Sequence, residues 1–367
     1  MTLKASVALI FAVYILGFAA HTWQLKKTVY GDGIFYYSWL RSVVVDHDID
    51  FANDYAHEPV TQPKTKSGTF GNKYSIGPAV FWAPPFMAIH RSIRGNGWEL
   101  PYQITTGAAS VAAAVSGIAL LSYLIRVPSG VLPLTLLLVA GGTNLLFYGS
   151  IDTVNSHALS FFCAAVFLVL ITRKHIAWFA VGMTLALLAS VRLQDLVYLL
   201  ALIPFFRRIR WAPLLSGFFL AFMPQLAAWY FLYGTFANPY IAGGETFDLL
   251  HPHILGVLFS RESGLFLWTP MAAVGILGLL LHARKYWSYL LIIGIQIYLV
   301  ASWSTWWQGA SVSGRMFVST IPIIAVGLSE IVAGIYTHRL IRPVLPHLIF
   351  GISVLNCMGI LYYLISH

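Results

Sequence analysis

The chain has 367 residues, 58% hydrophobic and only 10% charged, with a mean hydropathy of +0.76. A soluble domain carries roughly 25% charged residues, so this sequence lacks the polar surface to face water on all sides, and a soluble globular protein is excluded. The formal charge of +9 points to no nucleic-acid partner, because of where it falls. Beyond residue 101, ten Lys and Arg residues sit in short acid-free loops: Arg126; Arg173 and Lys174; Arg207, Arg208 and Arg210; Arg284 and Lys285; Arg339 and Arg342. The alternate loops hold only Arg192, Arg261 and Arg315, beside Asp152, Asp195, Glu245, Asp248 and Glu262. Such asymmetry is the positive-inside pattern of a multi-pass protein whose medium is the lipid bilayer.

A membrane helix needs about 20 apolar residues, range about 17–25. In chain order the expected spans are 5–23, 101–125, 131–149, 155–172, 176–191, 193–206, 211–233, 264–282, 286–302, 317–336 and 343–364. The first is long for a leader and lacks a small-residue cleavage site, so it is expected to be a retained span. A polar stretch, 24–73, follows as the first external loop and contains six of the thirteen acids. Within it Ile34–Val45 is apolar and aromatic but too short to cross, which predicts a helix lying in the interface plane. Segment 74–93 carries Pro78, Pro84 and Pro85. Counting back from the basic loops, it is expected to be a re-entrant hairpin or a broken helix if 24–73 is external; the alternative is that 24–73 faces the cytoplasm, and the external reading is taken because the candidate loops then share one face. The spans 176–191 and 193–206 are short and meet at Arg192–Asp195, within the depth of the membrane. A second large external loop covers 234–263. The expected fold is therefore one all-α polytopic membrane domain over 1–367 with about eleven spans. Cys163 and Cys357 both lie in apolar runs and suggest neither a disulfide nor a metal site.

Five groups of residues could carry chemistry. In Tyr30-Gly31-Asp32-Gly33 two glycines leave a carboxylate uncrowded, placed to take a proton from a hydroxyl; the plainer alternative is a turn that caps the next helix. Asp46, Asp48 and Asp50, interleaved with His47 and followed by Asn53 and Asp54, suit a divalent cation or simply a solvated loop. Lys73 in Asn72-Lys73-Tyr74-Ser75 sits where a lipid phosphate would ride, or snorkels to the interface. Trp303, Trp306, Trp307 and Gln308, followed by Arg315, are denser than an aromatic belt needs. Aromatic faces and an amide suit a sugar ring, and an Arg suits phosphate. Arg261 beside Glu262 closes the second loop, and Arg192 and Asp195 are ionisable residues at membrane depth that serve function or neutralise each other. His157 opens a span and by itself reads as structural. No P-loop, HExxH or GxGxxG pattern is present, and no segment is long and polar enough for a nucleotide-binding domain. A transferred sugar would have to come from a donor already in the membrane.

These stretches, in order, resemble the bacterial membrane glycosyltransferases of the GT-C superfamily, over nearly the whole chain. Protein O-mannosyltransferases and lipid A aminoarabinose transferases are more distant relatives. The resemblance rests on Tyr30–Gly33 with Phe35–Tyr37, Asp46–Phe51, Asn72–Pro78, Ser156–Phe162, Ser263–Phe266, and Trp306–Gly309 through Gly314-Arg315. It implies a multi-span fold in the bacterial inner membrane, with Asp32 as catalytic base on the external face. The implied donor is a polyprenyl-phosphate sugar and the reaction inverting. The acceptor would be a glycan, lipid or protein, and no metal cofactor is required. Lys73, Arg261 and Arg315 are the candidate phosphate cations, and Tyr74, His157, Trp306, Trp307 and Gln308 the candidate sugar or acceptor residues. The rival expectation is a transporter or flippase of lipid-linked sugars, disfavoured because no internal repeat is visible; a non-catalytic scaffold is a third.

Overall fold

The structure is a computed structural model that describes residues 2–57, 60, 62–66, 68–236, 239–242 and 244–366. Among them it is 73% helical with no strand, so the backbone groups are satisfied within helices, as a bilayer demands. Five helices are long and apolar enough to cross a membrane: Leu3–Leu25, Leu100–Leu124, Trp211–Tyr233, Arg315–Thr337 and Leu345–Ser366. The chain is a multi-pass membrane protein.

The expectation of eleven spans is not met. Several apolar stretches are broken into pieces shorter than a bilayer. Stretch 131–149 stops as a helix at Gly142, where Thr143 is extended, and restarts as Leu145–Ser150. Stretch 264–282 is divided at Thr269, before Pro270. Stretch 193–206 is a 3-10 run, Leu193–Arg208, containing Pro204. His157–Ile171 and Trp178–Val191 are regular but short. High hydropathy here marks residues enclosed by neighbouring helices as well as residues facing lipid. His157–Ile171 is largely buried, whereas Leu345–Ser366 is mostly exposed at similar apolarity.

Glycines set the closest helix approaches. A Cβ on Gly182 would overlap the Leu214 carbonyl, and one on Gly217 the Phe179 carbonyl, which locks Trp178–Val191 against Trp211–Tyr233. Gly278 and Gly327 do the same between Pro270–Leu281 and Ile321–Thr337. Close packing through small residues replaces the hydrophobic drive that is missing between helices in lipid.

Two expectations for the first loop are corrected. The apolar segment after Asp32 is a helix, Gly33–Arg41, continued by a π-turn to Asp46, and every residue of Gly33–Arg41 is buried. An interfacial helix would leave one face open. This one is enclosed because its aromatic side chains find partners all round: Phe35 stacks on Tyr74, Trp39 packs on Phe51, and Tyr37 packs on Phe86 and Trp98. Segment 74–93 is neither a hairpin nor broken. It forms one helix, Gly77–Ile93, through Pro84 and Pro85, held against Leu100–Leu124 and brought close to Ser190 at Gly77.

The basic loops gather at one end of the bundle. Arg173 lies over the Tyr123 ring and Arg342 over the Tyr336 ring. Lys285 pairs with Glu330 at 3.0 Å, and Gly130 abuts the Tyr336 hydroxyl. Arg315–Thr337 and Ala283–Ser302 run from this end to the other, and helices of 23 and 20 residues span about 30 Å.

Candidate functional site

At the opposite end, five separate stretches converge: 30–36, 72–75, 155–157, 192–194 and 303–316. Gly31 adopts φ 53°, a left-handed turn that glycine accepts without strain, and Gly33 admits the Val154 carbonyl where a Cβ would collide. The two glycines thus place Asp32 at the head of the buried helix while the 151–156 loop closes over it. The next stretch is clipped onto that helix by two hydrogen bonds, Asn72 Nδ2 donating to the Phe35 carbonyl (2.8 Å) and Trp39 Nε1 to the Tyr74 carbonyl (2.9 Å), and is braced internally by the Tyr74 amide donating to Asn72 Oδ1 (3.1 Å). From farther along the chain, Gln225 Oε1 accepts from the Ile76 amide at 3.0 Å.

The 303–316 turn is held just as firmly. Tyr148 OH donates to the Val312 carbonyl (2.8 Å), Ser263 Oγ to the Trp307 carbonyl (2.8 Å), and the Met316 amide to Gln308 Oε1 (2.9 Å). The second loop is stitched alongside: the Asp248 amide donates to the Ser302 carbonyl (2.7 Å) and the Ser304 amide to the Thr246 carbonyl (2.8 Å). Positions 32 and 315, 283 residues apart, thereby meet. Arg315 Nη1 donates to Asp32 Oδ2 at 2.8 Å, and Tyr74 OH donates to Asp32 Oδ1 at 2.8 Å. Burial, reinforced by the Asp32 carboxylate, pushes the Tyr74 phenol far above its usual range, so it stays a donor.

These groups line a cavity of about 180 Å³. Of the residues singled out in the sequence, Asp32, Lys73, Tyr74, Arg192, Trp303, Trp307, Gln308 and Arg315 border it. Lys73 Nζ pairs with Glu245 Oε1 at 2.6 Å and lies over the Tyr240 ring. Arg192 donates to Ser156 Oγ and approaches His157 Nδ1, both at 3.0 Å. Several polar atoms at this wall are buried and have no hydrogen-bond partner among the described residues: Arg315 Nε, Arg192 Nε, Gln308 Nε2 and Glu245 Oε2. Buried polar atoms ordinarily find partners, so this concentration beside a cavity is the signature of a polar ligand's place. An adjoining cavity of about 210 Å³ shares Tyr36, Lys73, Arg192 and Trp303, and continues between Val191, Leu193, Trp229, Leu299 and Val300. One end is charged and aromatic, and the other is apolar.

The remaining singled-out residues stand elsewhere. Arg261 is exposed and outside the cavity, its carbonyl accepting from Trp268 Nε1 at 2.9 Å. Trp306 stacks on His253 and covers Gly256. His157 is buried behind Arg192, packed on Tyr148. Asp195 does not pair with Arg192 among the described residues; Ser319 Oγ donates to it at 2.7 Å and Ser160 Oγ donates to its other oxygen. The carboxylates near residue 50 have partners of their own. Asp46 pairs with Arg41, Asp48 accepts from Ser42 Oγ (2.7 Å), and Asp50 accepts from the Ala52 amide (3.1 Å). Among the described residues no three His, Cys, Asp or Glu side chains are grouped to hold a metal ion.

Sequence reasoning assigned no site role to Tyr36, Asn155, Tyr240 or Glu245, all of which border the cavity; Tyr36 entered only within Phe35–Tyr37 and Glu245 only as a loop charge. Tyr36 could have been found as the residue one helical turn after Asp32 in an aromatic run. Tyr240 and Glu245 carried no local signal. Asp152 was noted only as a loop charge. It accepts from Asn155 Nδ2 at 3.1 Å, and burial pushes it up to about 7, opposed by Arg315 nearby. The chain matches no family model, no curated protein and no solved structure.

Proposed function

We propose that the protein is a membrane glycosyltransferase of the GT-C type, transferring a sugar from a polyprenyl-phosphate donor to an acceptor hydroxyl at the external face. The observation that carries this reading is the convergence of Asp32, Tyr74, Arg315, Lys73 and Arg192 on one cavity with an apolar extension. An amphiphilic substrate with an anionic, sugar-bearing head and an apolar tail fits that division. In this reading the tail lies along Val191, Leu193, Trp229, Leu299 and Val300, and the head enters beside Arg315.

The chemistry balances on the chain's own residues. Asp32 takes the acceptor's hydroxyl proton as the oxygen attacks the anomeric carbon; the bond from that carbon to the phosphate oxygen breaks, and its electron pair leaves with polyprenyl phosphate. Attack opposite the leaving group inverts the anomeric centre. Arg315, with Lys73 or Arg192, stabilises the charge that grows on the phosphate. Fixed donors aimed at developing charge need no reorganisation as the charge appears. Trp307 and Gln308 hold the sugar. Before substrate enters, Arg315 rests on Asp32; its unpaired Nε leaves a donor for the phosphate.

The test is incubation of purified protein with radiolabelled polyprenyl-phosphate sugars and membrane acceptors. Transfer should occur and fall by about 10²- to 10⁴-fold in Asp32→Asn. Full transfer by that variant removes Asp32 as the base. Movement of intact donor across proteoliposomes without cleavage of the sugar–phosphate bond would favour a carrier.

A further inference from the structure

A second cavity, of about 370 Å³, opens at the other end of the bundle and is roomier than the one around Asp32. Its rim brings together cations from three separate loops: Arg126 after Leu100–Leu124, Arg173 after His157–Ile171, and Lys285 at the start of Ala283–Ser302. Its one acid is Glu330, already engaged by Lys285 Nζ at 3.0 Å and by Tyr286 OH at 2.5 Å. Arg126 and Arg173 are exposed and form no ion pair among the described residues; Arg173 has only the Tyr123 ring, at 5.5 Å. Three cations against one acid leave a surplus of two positive charges at the mouth. The hydroxyls beside them are already donating, Thr172 Oγ1 to the Leu168 carbonyl at 2.9 Å and Ser329 Oγ to the Val326 carbonyl at 2.6 Å. The charged donors left for a guest are the two guanidiniums and the Lys285 ammonium. Phe205, Tyr289 and Val326 give the wall an apolar side.

Membrane topology alone calls for cations in these loops, but it does not call for them to ring a common cavity. Lipid packing would instead favour their spreading outward to separate headgroups. Guanidiniums that share a concave mouth present forked donors to a tetrahedral oxyanion. Basic pockets between membrane helices on this face hold phosphate headgroups.

We propose that this cavity binds a phosphate-bearing anion, with Arg126 and Arg173 as its principal contacts and Lys285 tuned by Glu330. The site stands about a bilayer's thickness from the Asp32 cavity, at the far ends of Arg315–Thr337 and Ala283–Ser302. It does not depend on the proposed transfer reaction. The phosphate comes either from an anionic phospholipid or from a soluble phosphate compound.

The experiment uses the full chain purified in neutral detergent, with phosphatidylglycerol, phosphatidylcholine and pyrophosphate as probes. Binding is read by native mass spectrometry and by thermal shift. Wild type should bind phosphatidylglycerol in preference to phosphatidylcholine, or bind pyrophosphate. The double variant Arg126→Gln, Arg173→Gln should weaken that binding roughly 20- to 30-fold at low salt, near fivefold per charge. Glu330→Gln, which frees Lys285, should tighten it roughly fivefold. Repeated at about 0.15 M salt, where charges are screened beyond about 8 Å, Arg207→Gln, Arg208→Gln, which removes the same charge from the same end without altering a cavity-lining residue, should weaken binding clearly less than the first double variant. Phosphatidylglycerol that pyrophosphate does not displace identifies a lipid site; saturable displacement identifies a soluble ligand. The proposal is overturned if the first double variant binds all probes as wild type does, or if the Arg207, Arg208 variant loses as much.

Discussion

Two arginine–carboxylate groups occur close together in the polar end of this protein, and they have opposite characters. Around Arg41, Nη1 reaches Asp46 and, at 3.3 Å, Asp54, while Nε donates to the Asn96 carbonyl at 2.7 Å. That group is sealed: Asp54 is fully buried, and its second oxygen has no partner among the described residues. Around Arg315, both Asp32 oxygens are bonded, yet the pair is partly open and faces a cavity. In the acid-rich stretch 46–54 the sealed carboxylate is Asp54, with Asp46 partly exposed beside it and Asp48 and Asp50 at the surface, all spent on holding the loop together. The lone acid between two glycines is the open one. Density of charge in a sequence therefore marks a structural knot here, and an isolated carboxylate in a turn marks the accessible group.

Swapping the two arginines separates the roles most sharply. Arg315→Gln should lose about 10²- to 10³-fold in transfer rate, with the melting temperature little changed, because Asp32 keeps Tyr74 and an opening to solvent. Arg41→Gln should do the reverse. It strands two buried or half-buried carboxylates and costs about 3–5 kcal/mol of stability, while the fraction that remains folded keeps its transfer rate. Equal losses of activity from both variants, measured per folded molecule, would erase the distinction. Tyr74→Phe sits between them. It removes one of the two donors to Asp32 and leaves the stacking on Phe35 intact. Loss of one neutral hydrogen bond to a charged group is worth about 1.5–3 kcal/mol. The expected result is a transfer rate down roughly tenfold or more, with KM for the donor nearly unchanged, measured by steady-state kinetics.

The same contrast explains what could be read in the sequence. The membrane character, the helical class and the face shared by the basic loops followed from apolar composition and from Arg and Lys placement, which are properties summed over many residues. Trp211–Tyr233 was placed to the residue because no charge falls within its apolar run, and the helix continues through Pro224. The number of long helices was not legible: apolar stretches at 131–149 and 193–206 look like spans, and only tertiary contacts show that they are enclosed, short or 3-10. In the candidate site, Asp32, Lys73, Tyr74 and Arg315 stood out because each carries a polar group inside a patterned turn. Tyr240 and Glu245 reach the cavity through the path of the second loop, which no local pattern encodes. Trp306 and Trp307 looked equivalent in the sequence, but the turn that carries them sets their rings 87° apart, one against His253 and the other at the cavity.

The smallest expected effect concerns Asp54 and follows chiefly from burial. Burial pushes its carboxyl up to about 7, against the opposing pull of Arg41 and with the help of Asp46 and Asp48. A carboxyl whose folded pKa lies above its unfolded value of 3.8 binds its proton more tightly when folded. The contribution to stability is then fully present below about pH 4 and is lost as pH rises through about 7. Melting temperature in detergent should therefore fall by a few degrees between pH 5.5 and pH 8.5. Asp152, pushed up to about 7 in the same way, adds to this slope. Asp54→Asn should flatten the profile by about half, because the amide has no charge to desolvate, and should leave transfer within twofold of wild type at either pH. A profile as steep in Asp54→Asn as in wild type would mean that Arg41 keeps Asp54 ionised across the whole range. The sealed group would then be an ordinary salt bridge, and the contrast with Asp32 would rest on access to the cavity alone.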